Sequence, residues 1–149
     1  SVEVPIFRKH ISVRDRNFVI ERAKARCEYC LSPMQYSTQS FDVDHIIPIS
    51  RGGDSSTDNM AHACSGCNRQ KFNHMTGYDP VEAKEVPLFH PRQDRWLDHF
   101  QWNEDFRFVI GITSTGRATV EALQLNRAGV VNLRRLLKLA GEHPPQVQV

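Results

Sequence analysis

The sequence predicts one small α+β domain: an N-terminal helix, a cysteine-stapled strand-and-helix region, and a C-terminal β-hairpin followed by helices. Three observations carry the prediction. All four cysteines fall into two CxxC pairs, Cys27 with Cys30 and Cys64 with Cys67. Between the pairs lies the alternating run "SFDVDHIIPI", rich in strand formers and broken by Pro48. The chain has 149 residues, 40% hydrophobic and 24% charged, enough for one buried core and too few for two large ones.

Taken in order, Ser12 is placed to cap a helix running to about Arg26, with Val13, Phe18, Val19, Arg22 and Ala23 near a helical period. "CEYCLSP" ends in a turn signal and reads as a knuckle bent around something the sulfurs hold. "SRGGDSSTDNM" is a loop by composition, and Asp58 is a candidate N-cap for a short helix through "CNRQKFNH". Pro80, Pro87 and Pro91 make residues 79–95 an irregular connector. "WLDHFQW" and "FRFVIGIT", joined by "NED", predict a β-hairpin. Two helices close the chain, "TGRATVEALQLN" and "VVNLRRLLKLAGE". The second sets Leu133, Leu136, Leu137 and Ala140 on one face and Arg134, Arg135 and Lys138 on the other, and ends at Gly141.

Two CxxC knuckles suit one tetrahedral zinc, because each turn presents two thiolates and a d10 ion accepts four soft ligands. Disulfides, a redox dithiol and an iron–sulfur cluster are the alternatives. The first needs a secretory context, the second needs a single CxxC beside a βαβ pattern, and the third has less support. Four thiolates close the coordination shell, so such an ion staples the fold and activates no water. Any chemistry lies elsewhere.

Elsewhere is the polar set between and just after the knuckles: Asp44 and His45, the glycine pair of "SRGGD", Asn59, Asn68 directly after the last cysteine, and Lys71. Singly, each is an ordinary turn, cap or solvated residue. Their joint order, in "CEYC", "DVDHIIPISRGGD", "TDNM" and "CSGCNRQK", resembles the HNH endonucleases, also called ββα-metal or His-Me finger nucleases, in their zinc-bearing four-cysteine form. The matched text spans residues 27 to about 75, and the C-terminal part, about 92–141, resembles an extension of small stand-alone bacterial HNH proteins. The resemblance implies a single HNH domain over residues 1–149 with a ββα core.

It further implies that Asp44 and Asn68 give oxygen ligands to one divalent cation, Mg2+ or Mn2+, while Cys27, Cys30, Cys64 and Cys67 hold structural Zn2+. His45 is then the general base toward the attacking water, and Asn59 braces the loop that carries it. The implied activity is one-metal hydrolysis of DNA phosphodiesters, nicking or cutting both strands and leaving a 5′ phosphate and a 3′ hydroxyl. Asn68 stands where the family name often has a third His; an amide oxygen keeps the ligand role. Arg51, Arg69, Lys71, Arg117, Arg134 and Arg135 are the candidate phosphate contacts, with Arg127 and Lys138 in the same C-terminal set. Trp96 and Trp102 read as hairpin core more readily than as base-stacking platforms. His62 and His74 are close in sequence to the site, His74 near a helix C-terminus and His62 packed or solvated.

Two other readings stand beside this one. A zinc-stabilised nucleic-acid-binding module without turnover would be expected to lose Asp44, His45 or Asn68, and all three are present. A nuclease module of a larger CRISPR-type effector assembly would add other subunits to its partners. DNA is the expected partner, with RNA second. Charge is uneven: residues 1–31 carry +3, 32–71 carry −1, 72–106 carry −4 and 107–149 carry +4. Basic ends suit a polyanionic partner, and also an ordinary solvated surface. No apolar run approaches the roughly 18 to 20 residues of a membrane span, and the N-terminus lacks the pattern of a signal peptide, which sets a cytoplasmic expectation and no membrane partner.

Overall fold

A computed structural model of the protein describes residues 10–146; the signal-peptide reading falls largely on residues outside that range. Helix α1 spans Val13–Arg22, with the Ser12 hydroxyl accepting from Asp15 N at 3.0 Å. It ends four residues before the expected Arg26. Lys24 and Ala25 adopt positive φ, which breaks the helical path and swings Arg26 into a bridge with Pro33, so that Cys27 enters the core.

Strand β1, Phe41–His45, pairs antiparallel with β2, Met60–Cys64, and helix α2, Ser65–Lys71, follows directly. This is the ββα core. Strand β2 is buried along its whole length, so "MAHAC" carries no alternation to betray it. Asp58 is not a helix cap: it lies in the 3-10 turn Thr57–Asn59 that enters β2. Cys64 takes the cap position of α2, its sulfur accepting from Cys67 N at 3.5 Å.

The expected connector contains a hairpin, β3 (Thr76–Asp79) with β4 (Lys84–Pro87). Its prolines are compatible with this because Pro80 sits in the turn and Pro87 at the strand end. The buried Asp79 carboxylate organises the turn, accepting from Val81 N and Glu82 N at 3.1 and 3.2 Å, and takes both prongs of Arg117 at 2.9 Å.

The C-terminal hairpin is present but shorter than expected. "WLDH" forms one helical turn, α3 (Trp96–His99), and only β5 (Phe100–Trp102) and β6 (Val109–Gly111) pair. Helix α4, Ser114–Leu123, packs on β3, β4, β6 and α2. Gly116 permits this approach, since a Cβ there would overlap the His99 carbonyl. Helix α5, Ala128–Leu139, buries Val130, Arg134 and Leu137, while Leu136 and Leu139 are exposed. Its expected faces are therefore partly reversed, because Arg134 finds carbonyl partners in the interior. The core joins the cysteines to Tyr29, Phe89, Trp96, Phe100, Leu123 and Leu125, which binds both halves of the chain into one unit. Among the described residues no helix is long and apolar enough to cross a membrane.

Candidate metal centre and active site

The four cysteines are buried and reduced, and their sulfurs lie within 4.8 Å of one another. Sulfurs at the corners of a tetrahedron with Zn–S bonds of about 2.3 Å are about 3.8 Å apart. Cys30 and Cys64 are 3.7 Å apart, far beyond the roughly 2.05 Å of a disulfide. Backbone N–H groups of Tyr29 and Cys30 point at Cys27 Sγ at 3.4 and 3.5 Å, the geometry of a knuckle that stabilises thiolate. The donor set fits a structural zinc held by four thiolates. Arg127 completes the surroundings, donating to Cys64 Sγ at 3.3 Å and to Cys67 Sγ at 3.5 Å. Sequence offered no signal for it, since Arg127 lies 60 residues from Cys67.

The second site is built on the end of β1. Alternation of the strand turns Asp44 inward and His45 outward. Asp44 is 5% exposed; its Oδ2 accepts from Tyr29 Oη at 2.6 Å and faces Lys71 Nζ at 3.1 Å. Lys71, 2% exposed, also donates to the carbonyls of Ile46 at 3.0 Å and His45 at 3.4 Å. Burial and the neighbouring carboxylate push the Tyr29 phenol well above its usual range, so it stays a donor. Lys71 is thus an internal counter-ion, not a surface phosphate contact as expected. Asn68 precedes it by three residues, on the same side of α2, and its amide meets no partner among the described residues. A carboxylate with roughly four acceptor positions retains capacity beyond these two donors.

His45 is half-buried, with Nε2 3.3 Å from the hydroxyl of exposed Ser55. Burial pulls its imidazole below the usual value, Asp44 opposing and Lys71 assisting, so the neutral ring prevails at neutral pH. Asn59 fixes the loop beyond: its Oδ1 accepts from Ile47 N at 2.8 Å and its Nδ2 donates to Ile47 O at 2.9 Å and Asp54 O at 2.8 Å. Gly53 lets the loop close, since any Cβ would overlap the Ile47 carbonyl.

The candidate phosphate contacts divide. Arg51 and Arg69 are exposed beside the site, Arg51 donating to Asn73 O at 2.8 Å. Arg135 is exposed on α5, far in sequence from it. Arg117 is committed to Asp79. Arg134 is 2% exposed and donates to the carbonyls of Leu125 at 2.8 Å and Arg107 at 2.9 Å, so it cannot reach a phosphate. Trp96 is buried with its indole N–H on Tyr29 O at 3.0 Å, and Trp102 lies under Arg134, so both are core residues. His62 is buried and stacked on Phe41 with ring centroids 5.0 Å apart, and His74 N donates to Lys71 O just past α2. Tyr29 and Ser55 were not legible as site residues; the first is hidden inside a cysteine motif whose metal role accounts for the local pattern.

The four-cysteine cluster thus stands beside a strand-borne Asp-His pair on a ββα core. Residues 27–74 match the HNH endonuclease family model. No curated protein matched the chain.

Proposed function

We propose that the protein is a metal-dependent endonuclease that hydrolyses DNA phosphodiesters at the Asp44–His45 site. The observation that carries the reading is the split orientation of two neighbouring side chains: Asp44 buried and anchored, His45 half-buried and facing the loop. Asp44 and Asn68 would hold a Mg2+ or Mn2+ ion, which when bound supplies charge neutralisation at the scissile phosphate and leaving oxygen. His45 takes the proton from the attacking water. A neutral imidazole is required for that, and its desolvated setting keeps it neutral. Lys71 and Tyr29 hold the Asp44 carboxylate in place, so its oxygens need not reorganise when a ligand arrives. Asn59 holds the backbone at Ile47, two residues from His45. Arg51 and Arg69 are the phosphate contacts this reading retains near the site, and Arg135 a distal one. The products are a 5′ phosphate and a 3′ hydroxyl.

The four cysteines would hold zinc, whose role is to fix the ends of β2 and α2. The whole chain acts as one domain with DNA as partner. The test is plasmid nicking with Mg2+ or Mn2+, by native protein and by His45→Ala. Metal-dependent nicking abolished in the variant supports the assignment. Nicking that survives the substitution removes His45 from the chemistry, and no nicking by native protein under any condition favours a nucleic-acid-binding module without turnover.

A further inference from the structure

The positive charge of the N-terminal segment is not used by the site just described. The structure gathers part of it in a cleft of about 320 Å³ between the C-terminal end of α1 and residues 89–96. Arg22, Lys24 and Arg26 come from one side, Arg92 and Arg95 from the other, over an apolar wall that includes Phe89 and Trp96. Among the lining residues the acids are Glu28 and Asp94, and both are already engaged; Asp58 lies near Arg22 and Glu142 near Arg26. Glu28 pairs with Arg92 and accepts from His62 N at 2.8 Å; Asp94 accepts from His90 N at 2.9 Å.

Part of the cluster has a structural task. Met60 O points away from β1, and Arg22 donates to it at 2.8 Å and Arg92 at 3.4 Å, sealing the free edge of β2. That task does not account for Lys24 and Arg95, which are exposed and meet no carboxylate among the described residues, or for Arg26, whose guanidinium donates to Leu31 O at 2.9 Å. Nor does it satisfy Arg22 Nε, a buried donor with no acceptor among the described residues. The exposed cations of one rim repel one another, and an anion seated between them offsets that repulsion. The cleft shares Arg92 with the groove at the Asn59 loop. Arg92 lines the groove beside Gly53 and Asn59, and Met60, on which Arg22 and Arg92 converge, is the register partner of His45.

We propose that this cleft is a second phosphate-binding site, seating the phosphate of a nucleotide unit away from the scissile bond. The proposal rests on the nuclease reading for its ligand. The basic rim takes the phosphate through Lys24, Arg26 and Arg95, and the apolar wall accommodates the attached sugar or base. The volume lies within the roughly 300–1,000 Å³ of small-ligand pockets.

The experiment is fluorescence anisotropy at several salt concentrations with the full chain carrying His45→Ala, so that the probe is not cut. Three probes separate the sources of phosphate: an oligonucleotide without terminal phosphates, the same strand with a 5′ monophosphate, and adenosine monophosphate as competitor. The variant is Lys24→Ala with Arg95→Ala, exposed positions whose loss should leave the melting temperature and cysteine-bound metal content unchanged. Expected is a roughly tenfold weakening and a salt slope reduced by about 1 to 2, with Lys24→Arg plus Arg95→Lys behaving as the parent. A loss equal for both strands, without competition, assigns an internal phosphodiester; a loss confined to the 5′-phosphorylated strand or the competitor assigns a terminal one. Unchanged affinity and slope in the alanine variant overturn the site while leaving the nuclease reading intact. Failure of the parent to bind any probe overturns both.

Discussion

Lys71 holds its ammonium 3.1 Å from the Asp44 carboxylate, with both side chains almost wholly removed from solvent. The pair joins the C-terminal end of β1 to the last turn of α2, and it makes Asp44 a structural residue as well as a candidate ligand. Removing one partner of a buried pair strands the other. Lys71→Met should therefore destabilise the protein by about 3 to 5 kcal/mol, and the double variant Asp44→Asn with Lys71→Met should recover most of that loss. Urea unfolding of the parent, the single variant and the double variant measures it; a single-variant loss below about 1 kcal/mol would show the pair to be dispensable.

The same geometry separates the roles of the strand's last two residues. Asp44→Asn should weaken Mn2+ binding. His45→Ala should leave Mn2+ affinity near that of the parent while lowering the cleavage rate by about 10² to 10⁴-fold. Mn2+ titration by calorimetry, with plasmid cleavage at saturating metal, distinguishes them, and equal loss of affinity in both would contradict the division.

The cysteine centre should be worth most of the fold. Binding free energies of structural zinc sites are of order 10 to 16 kcal/mol at neutral pH, so Cys30→Ala, or prolonged treatment with a strong zinc chelator, should abolish cooperative thermal unfolding. Circular dichroism with metal analysis checks this, and one zinc per chain is the expected stoichiometry. A Cys30→Ala protein that still melts cooperatively at the parental temperature would mean that core packing alone suffices.

Arg127 places positive charge against two of the four sulfurs, at 3.3 and 3.5 Å. Groups that contact metal-ligating atoms typically alter affinity by about 10 to 100-fold. Arg127→Ala should release zinc to a colorimetric chelator faster by that order, whereas Arg127→Lys should recover part of the retention. Release at the parental rate in both variants would reduce Arg127 to a packing residue.

Asp79 gives a pH signature unconnected with metal. The Arg117 guanidinium, aided by the N–H groups of Val81 and Glu82, holds its carboxyl at about 2, below the ordinary 3.8. A depressed acid stabilises the fold above its unfolded value and loses that contribution as pH falls through the folded one. Stability should therefore decline between about pH 4 and pH 2, and Arg117→Ala should move the decline to higher pH. Acid titration of intrinsic fluorescence follows it; coincident curves for parent and variant would exclude the pair as its source.

The local chemistry can be read from the order of residues alone. CxxC pairs, an Asp-His at the end of an alternating run and an Asn after the last cysteine are short-range patterns, and thiolate turns, strand alternation and helix caps act over a few residues. Ser12, the knuckles, the ββα order and the two closing helices were legible for that reason. Tertiary structure decided which cations are available. Lys71, Arg117 and Arg134 look like Arg51 and Arg69 in a list of basic residues, yet each is spent on a carboxylate or on carbonyls contributed by distant segments. It also decided that Tyr29 reaches Asp44, that Arg127 reaches the thiolates, and that Lys24 and Arg95 share one cleft. A side chain's charge is written in the sequence, but its partner, and hence whether that charge remains free for a ligand, depends on how distant elements pack.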